Sequence, residues 1–239
     1  MKYIYGPVKS RRLGFSLGIT LTPYKICSFN CVYCQLGKTI NTTNERREYI
    51  PVQEIINELK PWLQNNILEA GDLNYITFSG SGEPTLNIKI GQLILDIKRI
   101  TAVPVAVITN ASLLNVALVR QALSCADLII PSLDAATHKI FTKIDRPKEG
   151  ISVEDIISGL MAFRKEFKGK IWLEVMLIKG INDDLAHARK LKDIIDKISP
   201  DKIQLNSPVR TTAEDNILAA DKKKLQKFKE ILGDKCEFI

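Results

Sequence analysis

Three cysteines lie close together in the chain, at Cys27, Cys31 and Cys34. Three residues separate the first pair and two separate the second, so one short loop can bring three thiolates to a single metal centre. A [4Fe–4S] cluster normally takes one thiolate on each iron. With three thiolates supplied locally, one iron can stay open, and an open metal position is where metal chemistry takes place.

Two other uses of these cysteines must be weighed. A disulfide framework is typical of small secreted chains with an even cysteine count, whereas this chain has five cysteines in 239 residues and no apolar N-terminal signal segment. A structural zinc site needs a fourth Cys or His. The remaining candidates are distant in sequence: Cys125, Cys236, His138 and His187. The fold could bring one of them near, so zinc stays open as an alternative.

Composition narrows the class of protein. A hydrophobic content of 45% over 239 residues supports a sizeable core and a single domain. No run approaches the ~18 uninterrupted apolar residues of a membrane span. The use of cysteine fits a reducing cytoplasm. The net charge of +7 permits a polyanionic partner such as RNA, because Lys and Arg make most contacts with phosphate.

Short apolar runs alternate with longer amphipathic segments along the chain. The runs expected to be strands are 19–21, 73–78, 103–108, 127–130, 171–178 and 202–206. The segments expected to be helices are 52–63, 88–100, 114–123, 153–167, 185–198 and 220–231. Strand–helix alternation repeated in this way predicts parallel βα units. Pro61 is expected to kink or restart the first long helix.

Periodicity alone leaves two closures open, a doubly wound sheet and a curved, barrel-like sheet. Glu174, Gln204 and Asn206 stand inside otherwise apolar strand runs. Strands covered by helices on both faces are apolar throughout, so these polar residues indicate that one face lines a cavity.

Several expected strands are followed by polar residues, where the loops of a parallel barrel build a site. Ser81-Gly82-Glu83 follows the second run, and its glycine lets the backbone approach a ligand closely. Asn110 follows the third run, where it could simply cap the next helix. Ser132 and Asp134 follow the fourth and could face the interior together, or cap the next segment.

The run Cys-x3-Cys-x-aromatic-Cys, completed by Tyr33, resembles the signature of the radical S-adenosylmethionine (radical SAM) superfamily. Two stretches, 6–18 (GPVKSRRLGFSLG) and 31–37 (CVYCQLG), resemble its branch related to the wyosine-base (tRNA) synthase. The resemblance implies a partial (βα)6 TIM-like barrel, open at one side, with the cluster loop after the first strand. It also implies a single radical SAM domain over 1–239, with its core at about 15–210 and a tail at 211–239.

The resemblance implies a role for particular residues. Cys27, Cys31 and Cys34 would hold a [4Fe–4S] cluster. Eight residues would contact SAM: Tyr33, Ser81, Gly82, Glu83, Asn110, Ser132, Glu174 and Asn182. The Ser81–Glu83 segment would hold the methionine amino group, Ser132 the ribose, and Tyr33 and Asn182 the adenine. A buried carboxylate must be paired, so a structural ion pair is the alternative for Glu174.

The implied activity is reductive cleavage of SAM to a 5′-deoxyadenosyl radical, with an electron donor of the flavodoxin or ferredoxin type. A tRNA base of the wyosine type is the first candidate substrate. The alternatives are a protein or small molecule, as for a glycyl-radical activase, and a zinc-binding nucleic-acid module. The archaeal synthase has further cysteines upstream for a second cluster, whereas Cys27 is the first cysteine here. Lys9, Lys25 and Lys38 are candidates for a Schiff base with a carbonyl donor.

Overall fold

Eight strands form one open sheet in the computed structural model, which describes all residues from Met1 to Ile239. The strands are β1 (Ile4–Ser10), β2 (Gly14–Ile19), β3 (Tyr75–Phe78), β4 (Val105–Thr109), β5 (Leu128–Pro131), β6 (Lys170–Met176), β7 (Lys202–Asn206) and β8 (Cys236–Phe238). They lie in chain order across the sheet. β2 to β8 run parallel, and β1 pairs antiparallel with β2.

Helices connect the parallel strands, as the alternation predicts. They are α1 (Val52–Asn65), α2 (Ile67–Gly71), α3 (Ile90–Ile100), α4 (Ala117–Leu123), α5 (His138–Ile144), α6 (Val153–Glu166), α7 (Leu185–Ile198) and α8 (Lys222–Leu232). Alternate strand residues such as Ile76, Val107 and Leu173 are buried in the main apolar core, together with the inner sides of these helices. This apolar layer between the sheet and the helices holds the strands in place. The opposite face of each strand points into the interior of the barrel-like sheet.

The sequential strand order decides between the two closures. A doubly wound sheet reverses its strand order at a switch point, and this sheet does not. The two edges also approach each other, because Arg11 in the β1–β2 turn donates a hydrogen bond of 3.1 Å to the carbonyl of Ile239 beyond β8. The six strand–helix units from β2 onward therefore form the expected open, barrel-like sheet.

The interior face is apolar at one end and polar at the other. Leu13, in the β1–β2 turn, packs with Ala106, Leu128 and Ile130 and closes the end where the parallel strands begin. Toward the other end, Glu174 of β6 lies beside Gln204 of β7 in the sheet register. Polar side chains are thus concentrated where the strands end, at the edge that carries the loops.

Three details differ from the sequence-based expectation. The first parallel strand covers Gly14–Ile19 and is preceded by β1, because the glycine-rich stretch forms a hairpin that the apolar periodicity does not reveal. Pro61 lies inside a continuous α1. The short helices α2 and α5 were not expected. No helix has both the length and the apolar character needed to cross a membrane.

Candidate functional site

The three cysteines lie on the long loop between β2 and α1, each partly buried. Backbone hydrogen bonds hold this loop against the segment that follows α5: Asn30 N donates to Asp145 O at 3.0 Å, and Val32 N donates to Ile144 O at 2.9 Å. Phe29 forms a β-bridge with Pro147. The loop is therefore fixed at the edge of the sheet where the parallel strands end. This is the position expected for a cluster loop that follows the first parallel strand.

Each cysteine sulfur has a different polar neighbour. Lys25 Nζ lies 3.2 Å from Cys34 Sγ, and Asn110 Nδ2 lies 3.6 Å from Cys27 Sγ. Cys31 Sγ lies 3.5 Å from Asp145 Oδ1. N–H donors beside sulfur suit thiolates and tune the potential of a bound iron–sulfur cluster, so the surroundings of Cys27 and Cys34 fit the implied group.

The arrangement differs from a site for one metal ion. No three Cys, His, Asp or Glu side chains converge closely enough to hold a single ion. Tetrahedral zinc with Zn–S bonds of about 2.3 Å brings its sulfurs to within about 4 Å of each other. A cluster instead takes each thiolate on a separate iron and holds the sulfurs farther apart. Three ligands spaced along one loop are compatible with the second arrangement.

The thiols of Cys27 and Cys31 are strongly disfavoured as free anions. Burial raises the pKa of Cys27 to about 12, and the carboxylate of Glu83 adds to the rise while the charge of Lys25 opposes it. Burial, together with Asp145, raises the pKa of Cys31 well above the usual value. Because a coordinating metal deprotonates a thiol outright, binding at this loop would release protons.

The Gly-rich loop after β3 packs directly on the cysteine loop. Lys25 N donates to Ser81 O at 2.6 Å, and Glu83 N donates to Ile26 O at 3.0 Å. A Cβ atom on Gly82 would lie 1.9 Å from Ile26 O. Only glycine allows this contact between the two backbones, so Gly82 has a structural requirement beside its expected role at SAM.

Glu83 is buried and its carboxylate is fully engaged within the protein. Oε1 accepts from Thr85 N at 3.1 Å and from the hydroxyls of Thr85 and Thr109, both at 2.6 Å. Oε2 accepts from Asn110 N at 2.8 Å. Burial raises the pKa of Glu83, and these donors oppose the rise. The side chain therefore ties the loop after β3 to the loop after β4.

Asn110 joins the loop after β4 to the cysteine loop. Its Nδ2 donates to Ser28 Oγ at 2.9 Å as well as approaching Cys27, while its Oδ1 accepts from Ser112 N at 3.0 Å. The contact between Oδ1 and Ser112 N is the local turn expected of an asparagine after a strand. The two contacts of Nδ2 are not local, because they join this turn to the cysteine loop.

A small cleft, with a cavity volume of only about 10 Å³, lies beside the cysteine loop, and its wall includes Tyr33, Asn110, Ser132, Asp134 and Asp145. Three of the residues expected to contact SAM are thus brought together. The Tyr33 hydroxyl donates to Asp134 Oδ2, and Met176 N donates to Asp134 Oδ1 at 2.7 Å. Burial raises the pKa of Asp134 to about 7, so this carboxyl gains a proton easily.

Glu174 has the ion pair that sequence reasoning left as its alternative role. Its Oε2 lies 2.8 Å from Arg12 Nη1, and its Oε1 accepts from Asn206 Nδ2 at 3.0 Å. The backbone of Glu174 pairs with Ser132, which lines the cleft. Glu174 is therefore next to the expected SAM site and held by two partners.

Asn182 is fully buried, and its side chain bonds only to backbone. Oδ1 accepts from Ile178 N at 2.7 Å, and Nδ2 donates to the carbonyls of Asp134 and Met176 at 2.9 and 2.8 Å. These bonds join the turn after β6 to the loop after β5. Asn182 thus fixes the shape of two loops at the edge of the cleft.

Sequence reasoning missed the parts played by three residues. In sequence, Arg12 could guide an RNA backbone or be a solvated cation, and the stretch 143–147 resembles the superfamily without predicting a role for Asp145. The sequence indicates for Lys25 only a possible Schiff base or an ordinary surface lysine, but its amine contacts a cysteine sulfur. The contact of Lys25 could have been inferred only from its position in sequence near the cysteines. The contact of Arg12 with Glu174 could not be inferred from sequence, because the fold brings these two residues together.

Comparison with known proteins gives a family. Residues 21–191 match the model described as the radical SAM superfamily. A UPF0026 protein of Methanocaldococcus jannaschii is 36% identical over 98% of this chain and 73% of its own length. A protein named GTPase Obg in Brachyspira hyodysenteriae is 45% identical over 98% of this chain, which spans only 34% of that protein. A probable dual-specificity RNA methyltransferase RlmN of a Thermotoga species is 26% identical over 86% of this chain and 58% of its own length.

Solved structures share the fold at low sequence identity. A radical SAM methyltransferase from Sphaerobacter thermophilus superposes with a TM-score of 0.69 at 17% identity, covering 94% of this chain and 65% of that one. Archaeal TYW1 gives a TM-score of 0.59 at 19% identity, covering 92% and 72%. A domain of a pyruvate-formate lyase-activating enzyme from Bacteroides vulgatus gives 0.55 at 19%, covering 68% and 96%. The expected partial barrel is thereby confirmed, and the chain belongs to the radical SAM superfamily and, within it, to the UPF0026 family.

Proposed function

We propose that Cys27, Cys31 and Cys34 hold a [4Fe–4S] cluster and that SAM binds beside it. The observation that carries the proposal is the packing of the cysteine loop on the loop of Gly82. Asn110 contacts the same cysteine loop at Cys27 and Ser28. When bound, the cluster and SAM together supply a 5′-deoxyadenosyl radical able to remove hydrogen from an unreactive C–H bond. The protein's own task is to hold the reactants and exclude water.

We assign the SAM contacts to the residues around this junction. Since the Glu83 carboxylate is occupied by four donors, its contribution is to order the loop, and the backbone of Ser81 and Gly82 would meet the methionine amino group. Tyr33, Asn110 and Ser132, which lie together on the wall of the small cleft, would contact the adenosine. Glu174 and Asn182 would act by positioning, through the bonds that fix β6, β7 and the loops around the cleft.

We propose an RNA base, first of all a tRNA base, as the substrate. Three facts support this choice: the net charge of +7, the structural likeness to archaeal TYW1, and the likeness in sequence to proteins named as RNA methyltransferases. RNA is read chiefly through unstacked bases and backbone phosphates. A base lifted out of its stack could reach the open end of the barrel.

Two measurements test the substrate. Transfer RNA from a strain lacking the protein should miss one modified nucleoside in mass spectrometry, and the purified protein should restore it. Binding of tRNA should weaken steeply with salt, because phosphate contacts release counterions. Unchanged nucleosides, combined with no tRNA binding at low salt, would contradict an RNA substrate.

A protein or small-molecule substrate is the second candidate. The likeness to a domain of a pyruvate-formate lyase-activating enzyme, 96% of which this chain covers, favours it. Under this alternative the radical would be passed to a partner and no nucleoside would change. In either case we propose that residues 1–239 form one catalytic domain. The protein would receive electrons from an external donor of the flavodoxin or ferredoxin type and would work in a reducing cytoplasm.

A further inference from the structure

Lys25 occupies an unusual place at the start of the cysteine loop. Its φ angle is +62°, in the left-handed region that non-glycine residues rarely adopt. Its backbone N–H donates to Ser81 O in the neighbouring Gly-rich loop at 2.6 Å. This conformation directs the backbone toward one loop while the side chain lies against the other.

The ammonium group of Lys25 contacts sulfur and a carbonyl, not a carboxylate. Nζ lies 3.2 Å from Cys34 Sγ and 2.6 Å from Gly37 O. Lys38, on the same loop, differs in this respect, since its Nζ pairs with Glu214 at 3.2 Å. The charge of Lys25 is therefore not neutralised by an acidic partner and is applied to a sulfur atom.

We infer that Lys25 raises the reduction potential of the cluster and so makes it easier to reduce; this inference rests on the function proposed above. Reduction adds one negative charge to the cluster. A cation donating a hydrogen bond to a ligand sulfur stabilises that more negative form, because net charge and hydrogen bonds to sulfur both set cluster potentials. The bond to Gly37 O keeps the ammonium group in place. Lys25 is thus a positioning residue that acts through Cys34.

Anaerobic redox titration of the reconstituted protein, followed by electron paramagnetic resonance of the reduced cluster, tests this role. The variant Lys25→Met removes charge and donor, Lys25→Gln removes the charge alone, and Lys25→Arg keeps both. Lys38→Met is the matched control. At a fixed solution potential we expect the ratio of reduced to oxidised cluster to fall about tenfold in Lys25→Met, which equals about 59 mV for one electron.

We expect Lys25→Gln to fall between Lys25→Met and the wild type, and Lys25→Arg and Lys38→Met to titrate with the wild type. Equal potentials in Lys25→Met and the wild type, at equal iron content, would overturn the inference. Loss of iron from both Lys25→Met and Lys25→Gln would also overturn it, since Lys25 would then only retain the ligand. A wild-type protein that binds no [4Fe–4S] cluster would instead refute the proposed function.

Discussion

Arg12 Nη1 lies 2.8 Å from Glu174 Oε2, and this ion pair joins the β1–β2 turn to β6 inside the barrel. The side chain of Arg12 is 23% exposed and that of Glu174 is 6% exposed. Leu13 next to Arg12 fills the apolar end of the interior. The β1–β2 hairpin therefore closes the apolar end of the barrel, opposite the loops of the candidate site. Its ion pair with Glu174 holds the hairpin against β6.

Removing Arg12 should destabilise the fold more than removing Glu174. In Arg12→Met, Glu174 stays buried with Asn206 as its only partner, and we expect a loss of about 3 kcal/mol in the free energy of unfolding. In Glu174→Met, the more exposed guanidinium can turn to water, and we expect a smaller loss, about 1–2 kcal/mol. Urea denaturation of both variants measures the difference.

The double variant Arg12→Met/Glu174→Met should recover part of the loss, because no charge is then left buried. Lys192→Met is the surface control. Its exposed helical pair with Asp196 should contribute less than about 0.5 kcal/mol. If Arg12→Met lost no more stability than Lys192→Met, the buried pair would not hold the hairpin.

Gly82→Ala should separate the two loops of the candidate site. The new Cβ would lie 1.9 Å from Ile26 O, so backbone must move. We expect a loss of about 2 kcal/mol in stability and a reduced iron content after reconstitution. Gly71→Ala is the control, since no atom lies within 4 Å of its Cβ and no change in iron is expected. A Gly82→Ala protein with full iron content would show that the contact is dispensable.

Gln204 is buried in β7, and neither its amide nitrogen nor its oxygen has a hydrogen-bond partner. An unsatisfied buried amide costs about 1–3 kcal/mol. We therefore expect Gln204→Met to unfold at a higher temperature than the wild type. Asn206→Leu, two residues along the same strand face, should instead lower stability, because Asn206 bonds Glu174 and Ser207. Destabilisation by Gln204→Met would mean that the amide is bonded after all.

Asp134 should make the cluster-free protein less stable as pH rises. Burial raises its pKa from 3.8 to about 7, so between these values the folded chain keeps a proton that the unfolded chain has released. The free energy of unfolding must then fall with rising pH across this window. Asp134→Asn should reduce the slope, leaving the contributions of Glu83 and Asp145, whose pKa values burial also raises.

The control for this pH series is Asp215→Asn, at an exposed position. Urea midpoints measured from pH 4 to pH 8 should follow the wild type in this variant. A slope in Asp134→Asn as steep as in the wild type would assign the proton to another group.

The sequence predicted what depends on local spacing. Cys27, Cys31 and Cys34 sit on one loop, as their spacing predicts, and the metal centre that they would share stays a prediction. The apolar periodicity predicted β3 to β7 of the seven parallel strands, because strands packed under helices have a regular apolar face. The polar residues Glu174 and Gln204 indicated a cavity-lining face, but both side chains are buried: Glu174 pairs with Arg12, and Gln204 has no hydrogen-bond partner.

Contacts between distant parts of the chain could not be predicted from the sequence in this way. Arg12 finds Glu174 only when the sheet curls, so its sequence neighbours give no sign of the pair. The carboxylate of Glu83 takes its donors from two loops, and no local pattern in the sequence reveals these partners. Strand β1 was missed because Gly6 and Pro7 interrupt its pattern.

The most direct test of the account is reconstitution of the protein with iron and sulfide without oxygen, followed by SAM and dithionite and a measurement of 5′-deoxyadenosine. We expect the wild type and Cys125→Ala to form it, and Cys27→Ala, Cys31→Ala and Cys34→Ala to form none. A Cys31→Ala protein that still cleaves SAM reductively, or a wild-type protein that binds only zinc, would contradict the central claim.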